Sequence, residues 1–167
     1  LLDSGASVSV LDLRAVERLG LELGEAETVR GVQSDAVAYA LDGVSARCGE
    51  VSLGPIALAA DLSTAEERCA ERVDALIGVD FFRDRAVQID YRGRRIRVMD
   101  RPPQRRAAVK LPISFQNGVM CVPVSLNGSK PRLVRLDTGC NEAAHWVVPR
   151  KEVGTDVRVV SLGFVSV

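Results

Sequence analysis

The run Leu2-Asp3-Ser4-Gly5 returns near the other end of the chain as Leu136-Asp137-Thr138-Gly139. Each copy is an apolar residue, an aspartate, a small hydroxyl residue and a glycine. The duplication calls for two equivalent turns in one chain, and so for two related lobes. A strand can deliver each aspartate to a tight turn in which glycine, lacking a Cβ, lets backbones approach closely. Two such turns set face to face bring the Asp3 and Asp137 carboxyls within hydrogen-bond range. Carboxyls that close do not both ionise freely, so they share a proton and titrate as a pair. One member can then take a proton from a water while the other donates to a substrate carbonyl oxygen, which is hydrolysis without a covalent intermediate.

The rest of the chain reads as short strands with few helices. Asp12 is placed to cap a helix over Leu13–Leu19, with Leu13, Val16 and Leu19 three apart and Gly20 as its stop. Residues 27–41 suit a hairpin around Gly31 and Ser34-Asp35. Residues 44–53 and 55–62 read as two strands joined at Gly54-Pro55, and Ser63-Thr64-Ala65-Glu66 reads as a capping box opening a helix to about Arg72. A strand over 74–78 ends in Gly78, and one or two helical turns follow over 79–83. Strands over 86–91 and 94–99 flank Arg92-Gly93. After Pro102-Pro103, strands over 109–115, 119–126 and 132–136 are separated by Asn117-Gly118 and Asn127-Gly128, strong hairpin signals. The fold class is mostly β. The domain reading is an N-terminal lobe over 1–100, a linker over 101–109 and the start of a second, incomplete lobe over 110–167.

Composition narrows the function classes. Lys+Arg and Asp+Glu both number 22, so the net charge is zero and no general nucleic-acid binder is expected. No apolar run is long enough for a membrane helix. Cys48, Cys69, Cys121 and Cys140 are widely spaced and His145 is the only histidine, which argues against a metal site. Disulfides and free thiols both remain open. Arg92, Arg94, Arg95, Arg97, Arg101, Arg105 and Arg106 form a basic stretch without interleaved aromatics, read as a solvated hairpin and linker. His145 and Trp146 are expected to pack locally.

Asp-Ser/Thr-Gly after an apolar residue resembles the catalytic signature of aspartic proteases, and specifically of the retropepsin-like family. Ala75-Leu76-Ile77-Gly78-Val79-Asp80-Phe81-Phe82 resembles that family's second signature, and residues 122–137 resemble the hairpin leading into its aspartate. The resemblance covers nearly all of 1–100 and roughly 110–140. It implies closed β-barrel lobes with short helices, and an aspartic-type endopeptidase in which Asp3 and Asp137 are catalytic. It further implies that Ser4, Gly5, Thr138 and Gly139 brace the turns and that Ile77 and Gly78 support the site from beneath. Residues 29–41, including Gly31 and Tyr39, are the candidate flap over a peptide or protein substrate bound as an extended strand. No cofactor or metal is implied. Ala6 and Cys140 lack the hydroxyl that often supports the aspartate in pepsin-like enzymes, which predicts a weakly acidic optimum.

Two other readings stay open: a catalytically incomplete peptide-binding or dimerisation module, and a homodimer in which Asp3 meets its own copy. The chain begins at Leu1-Leu2-Asp3 without Met and both ends look strand-like, which suggests a fragment. The compartment is open between periplasm or secretion and cytoplasm.

Overall fold

A computed structural model describes residues 1–30, 35–102, 110–140, 144–146 and 160–162. The chain is mostly β. In order the elements are β1 (Val10–Asp12), α1 (Leu13–Leu19), β2 (Ala26–Arg30), β3 (Asp35–Ala40), β4 (Ser45–Cys48), β5 (Val51–Pro55), β6 (Leu58–Ala60) and α2 (Ser63–Cys69). There follow β7 (Ala75–Leu76), α3 (Val79–Phe82), β8 (Ala86–Asp90), β9 (Arg95–Met99), β10 (Ser114–Gln116), β11 (Val119–Val124), β12 (Arg132–Arg135), β13 (Ala144–Trp146) and β14 (Val160–Leu162).

The main sheet has the order β2-β3-β6-β1-β7. β1 lies between β6, which runs parallel to it, and β7, which runs antiparallel. Its residue Leu11 joins Ala15, Val16, Leu41, Ile56, Ala59, Ile77 and Phe81 in the buried core. α1 therefore folds back onto the sheet through Ala15 and Val16. Asp12 caps α1 by accepting from the Arg14 amide at 3.0 Å, and Gly20 ends it in the left-handed region at φ 64°. The same Asp12 carboxylate is buried and accepts from the Leu62 amide and from Arg14 Nε, tying α1 to the entrance of α2. Burial opposes its ionised form, but these donors win and hold its carboxyl below the ordinary range.

A second sheet, β10-β11-β12, carries the chain toward Asp137. Its first turn is Asn117-Gly118, with φ 49° and 79°, as a tight hairpin requires.

Several expectations change. No closed barrel is formed by the hydrogen-bonded strands among the described residues. The main sheet ends at β2 and at the two-residue β7, and the remaining strands pair separately. The hairpin after residue 44 turns at Gly49 (φ 56°), not at Gly54-Pro55, which lies within β5. Ser63 is the first helical residue rather than the cap: Leu62 holds the N-cap position without a side-chain cap, and the Ser63 amide donates to the Asp61 carboxylate. Glu66, expected in a capping box, instead accepts from the Val73 amide and pairs with Arg14 at 2.8 Å. All four cysteines are free thiols. The linker core, residues 103–109, lies outside the described residues, as do Gly31, Arg105, Arg106 and the His145 and Trp146 side chains.

Gly78 sits where β7 meets the first aspartate turn. A Cβ there would overlap the Val8 carbonyl and come to 3.0 Å from the Ala6 oxygen. Gly78→Ala is expected to lower stability by about 1–3 kcal/mol through this forced backbone shift, read as a drop in the urea midpoint.

Candidate active site

The first turn is held from below. Asp3 donates its amide to the Ile77 carbonyl at 2.8 Å, and Ile77 donates to the Leu1 carbonyl at 2.8 Å. Leu2 and Ile77 thus form a parallel bridge that delivers Asp3 to the turn. The second turn is delivered differently, by the β11–β12 hairpin and a bond from the Leu136 amide to the Met120 carbonyl at 2.9 Å. Within each turn the glycine amide returns to the aspartate: Gly5 donates to Asp3 Oδ1 at 2.8 Å and Gly139 to Asp137 Oδ1 at 2.9 Å. This is the Asx-type turn that an aspartate two residues before an amide favours.

The two turns are locked by a reciprocal set of bonds. The Ser4 amide donates to Thr138 Oγ1 at 3.0 Å, and the Thr138 amide donates to Ser4 Oγ at 3.1 Å. Ser4 Oγ donates onward to the Leu136 carbonyl at 2.7 Å, and Thr138 Oγ1 to the Leu2 carbonyl at 2.9 Å. Each hydroxyl therefore bridges the amide and the carbonyl that flank the opposite aspartate. Ser4 is buried, so these partners replace water rather than compete with it.

Asp3 and Asp137 meet across this lock. A Cβ on Gly139 would lie 2.6–2.9 Å from the Asp3 carboxyl atoms, and one on Gly5 would overlap the Asp137 carboxyl. Both glycines are thus required by close approach. The Asp137 carboxyl acts on Asp3 both through its charge and as a side-chain hydrogen-bond partner, each raising the Asp3 carboxyl. Burial, then the facing Asp137 charge, push the Asp3 carboxyl up to about 6, against the pull of the Gly5 and Ala6 amides.

Residues 1–81 match a family model described as Aspartyl protease. This segment belongs to the aspartyl protease family. No curated protein and no solved structure matches the chain. The matched segment contains Asp3, Ser4, Gly5, Ile77 and Gly78. Asp137, Thr138 and Gly139 lie beyond it and join it through the hydrogen bonds above.

Tyr39 is half-buried at the base of the β2–β3 hairpin, opposite Ala26 and Ala59, rather than near its tip. Two contributors are absent from the motif reading. Ser9 is buried, donates to Asp80 Oδ1 at 2.7 Å, and accepts from the Gly78 amide at 3.0 Å. Its own amide donates to Asp80 Oδ2 at 2.8 Å, so Ser9 fastens Gly78 beneath the first turn. A serine within the apolar run Val8-Ser9-Val10-Leu11 was the available signal. The other contributor is Arg135, whose Nη1 donates to the Gly5 carbonyl at 3.2 Å.

Thr138→Val keeps the shape but leaves the Ser4 amide and the Leu2 carbonyl without this partner. It should cost about 1–3 kcal/mol in chemical denaturation, with Thr138→Ser recovering most of the loss. A second outcome follows from Asp3. Its folded value lies above the ordinary one, so the folded state binds the extra proton, and stability falls as pH rises from about 4 to 6. Asp3→Asn removes that penalty and should melt higher than the parent at pH 7, the advantage shrinking toward pH 4.

Proposed function

We propose that the chain is an aspartic-type endopeptidase, with Asp3 and Asp137 as its catalytic pair. The observation that supports this reading is the intramolecular lock of Ser4 and Thr138, which holds the two aspartate turns face to face. Residues 1–100 then form one lobe and 110–167 contribute the second aspartate. Because the lock lies within one chain, the one-chain site is favoured over a homodimer of Asp3 with its copy.

Around and somewhat below pH 6 the Asp3 carboxyl carries a proton and faces the Asp137 carboxyl, so a protonated and an ionised member can work together. A water between the carboxyls gives a proton to the ionised oxygen as its own oxygen attacks the peptide carbonyl carbon. The protonated carboxyl donates to the carbonyl oxygen, giving a neutral gem-diol. Collapse of the gem-diol breaks the C–N bond. A carboxyl proton passes to the departing nitrogen, one diol proton returns to the pair, and an acid and an amine leave. Ser4, Thr138 and the two glycine amides move no proton; they fix where the carboxyls stand. The substrate would lie as an extended strand, recognised through its main chain and through alternate side chains.

Cleavage of a peptide library tests the reading. Asp3→Asn and Asp137→Asn should each reduce kcat/KM by about 10²–10⁴-fold. The pH–rate profile should fall as pH rises through about 6, the Asp3 value, where the shared proton is lost. Activity that survives both substitutions, or a profile peaking near pH 2, overturns the assignment.

A further inference from the structure

The two motif copies differ two positions before the aspartate. The first has Leu1, an exposed apolar side chain, and the second has Arg135, also exposed. Arg135 lies at the end of β12, one residue before Leu136, whose carbonyl belongs to the Ser4–Thr138 lock. From there its Nη1 crosses to the Gly5 carbonyl. Gly5 is the residue pressed against the Asp137 carboxyl. The guanidinium is therefore anchored one residue from the paired carboxyls, on the surface of the second copy alone.

The anchor uses one of the five N–H donors of the guanidinium. No carboxylate among the described residues forms an ion pair with Arg135. The acidity of Asp3 is set chiefly by burial, by Asp137 and by the Gly5 and Ala6 amides. A planar cation anchored at one donor, with no further partner among the described residues, suits a two-pronged acceptor, and the match in geometry and charge is a carboxylate.

We propose that Arg135 is a specificity residue that selects peptides carrying a carboxylate side chain within two residues of the cleaved bond. Leu1 offers an apolar surface at the equivalent place in the first copy. The two sides of the cleft then differ in chemistry, and a peptide is read in one direction. This selection rests on the peptidase reading above, whereas its binding component does not require turnover.

The probes are peptide pairs that differ only as Glu or Gln at each of the four positions around the bond, in cleavable form and with the scissile amide reduced to a methylene amine. At one position the Glu peptide should be preferred about tenfold, in kcat/KM and in the affinity of the reduced peptide measured by calorimetry. Arg135→Gln keeps a donor for the Gly5 carbonyl but not the charge, and should bring the Glu-to-Gln ratio to about one. Arg135→Glu should turn the preference toward Lys. In the unaltered protein the ratio should shrink as salt rises. A ratio of one before substitution, or one that persists in Arg135→Gln or is indifferent to salt, overturns the proposal. Absence of cleavage with Glu-selective binding instead overturns the peptidase reading and leaves the role of Arg135 standing.

Discussion

Ser4 and Thr138 solve a problem that any pair of facing turns must meet. Bringing two carboxyls together inside a protein costs desolvation and mutual repulsion, and the backbone around them resists that approach. The two side-chain hydroxyls supply the opposing force. Each is both donor and acceptor, so each can satisfy an amide and a carbonyl of the opposite turn at once. A residue able only to donate or only to accept would leave half of the set unpaired. The raised Asp3 carboxyl reflects the burial and the facing Asp137 charge that this arrangement imposes.

Everything beneath the lock serves to keep one turn from drifting. The first turn rests on Ile77 and Gly78, and Gly78 is pinned in turn by Ser9 and Asp80. β1 lies at the centre of this support, carrying Leu11 into the core and passing Asp12 on to cap α1. The second turn depends instead on its hairpin. The two aspartates thus reach matching positions by different routes.

Local chemistry was legible in the chain, and distant partnerships were not. Asp12 and Gly20 bound α1 correctly because a cap and a left-handed stop are properties of a few adjacent residues. Asn117-Gly118 marked its hairpin for the same reason. Glu66 misled because Arg14 and the Val73 amide, which are remote or tertiary partners, outcompete the amide a capping box would use. Gly54-Pro55 looked like a turn, yet strand pairing absorbed it and Gly49 turned the chain instead. The repeated aspartate motif pointed to two facing turns, but Ser9 and Arg135 act through partners far away in sequence: a polar residue in an apolar run hinted at Ser9, and nothing local named its partners or marked Arg135.

The bridge from Leu2 to Ile77 sets an order of events on the growing chain. During synthesis Asp3 is made before Ile77 and Gly78, and it has no seat until they have followed. The opposing carboxyl then waits for Thr138. Contacts so remote in sequence must first meet the entropic cost of closing a long loop. The acidic pair is accordingly assembled only after most of the supporting scaffold exists, so a nascent chain shorter than this carries no paired acids toward its neighbours.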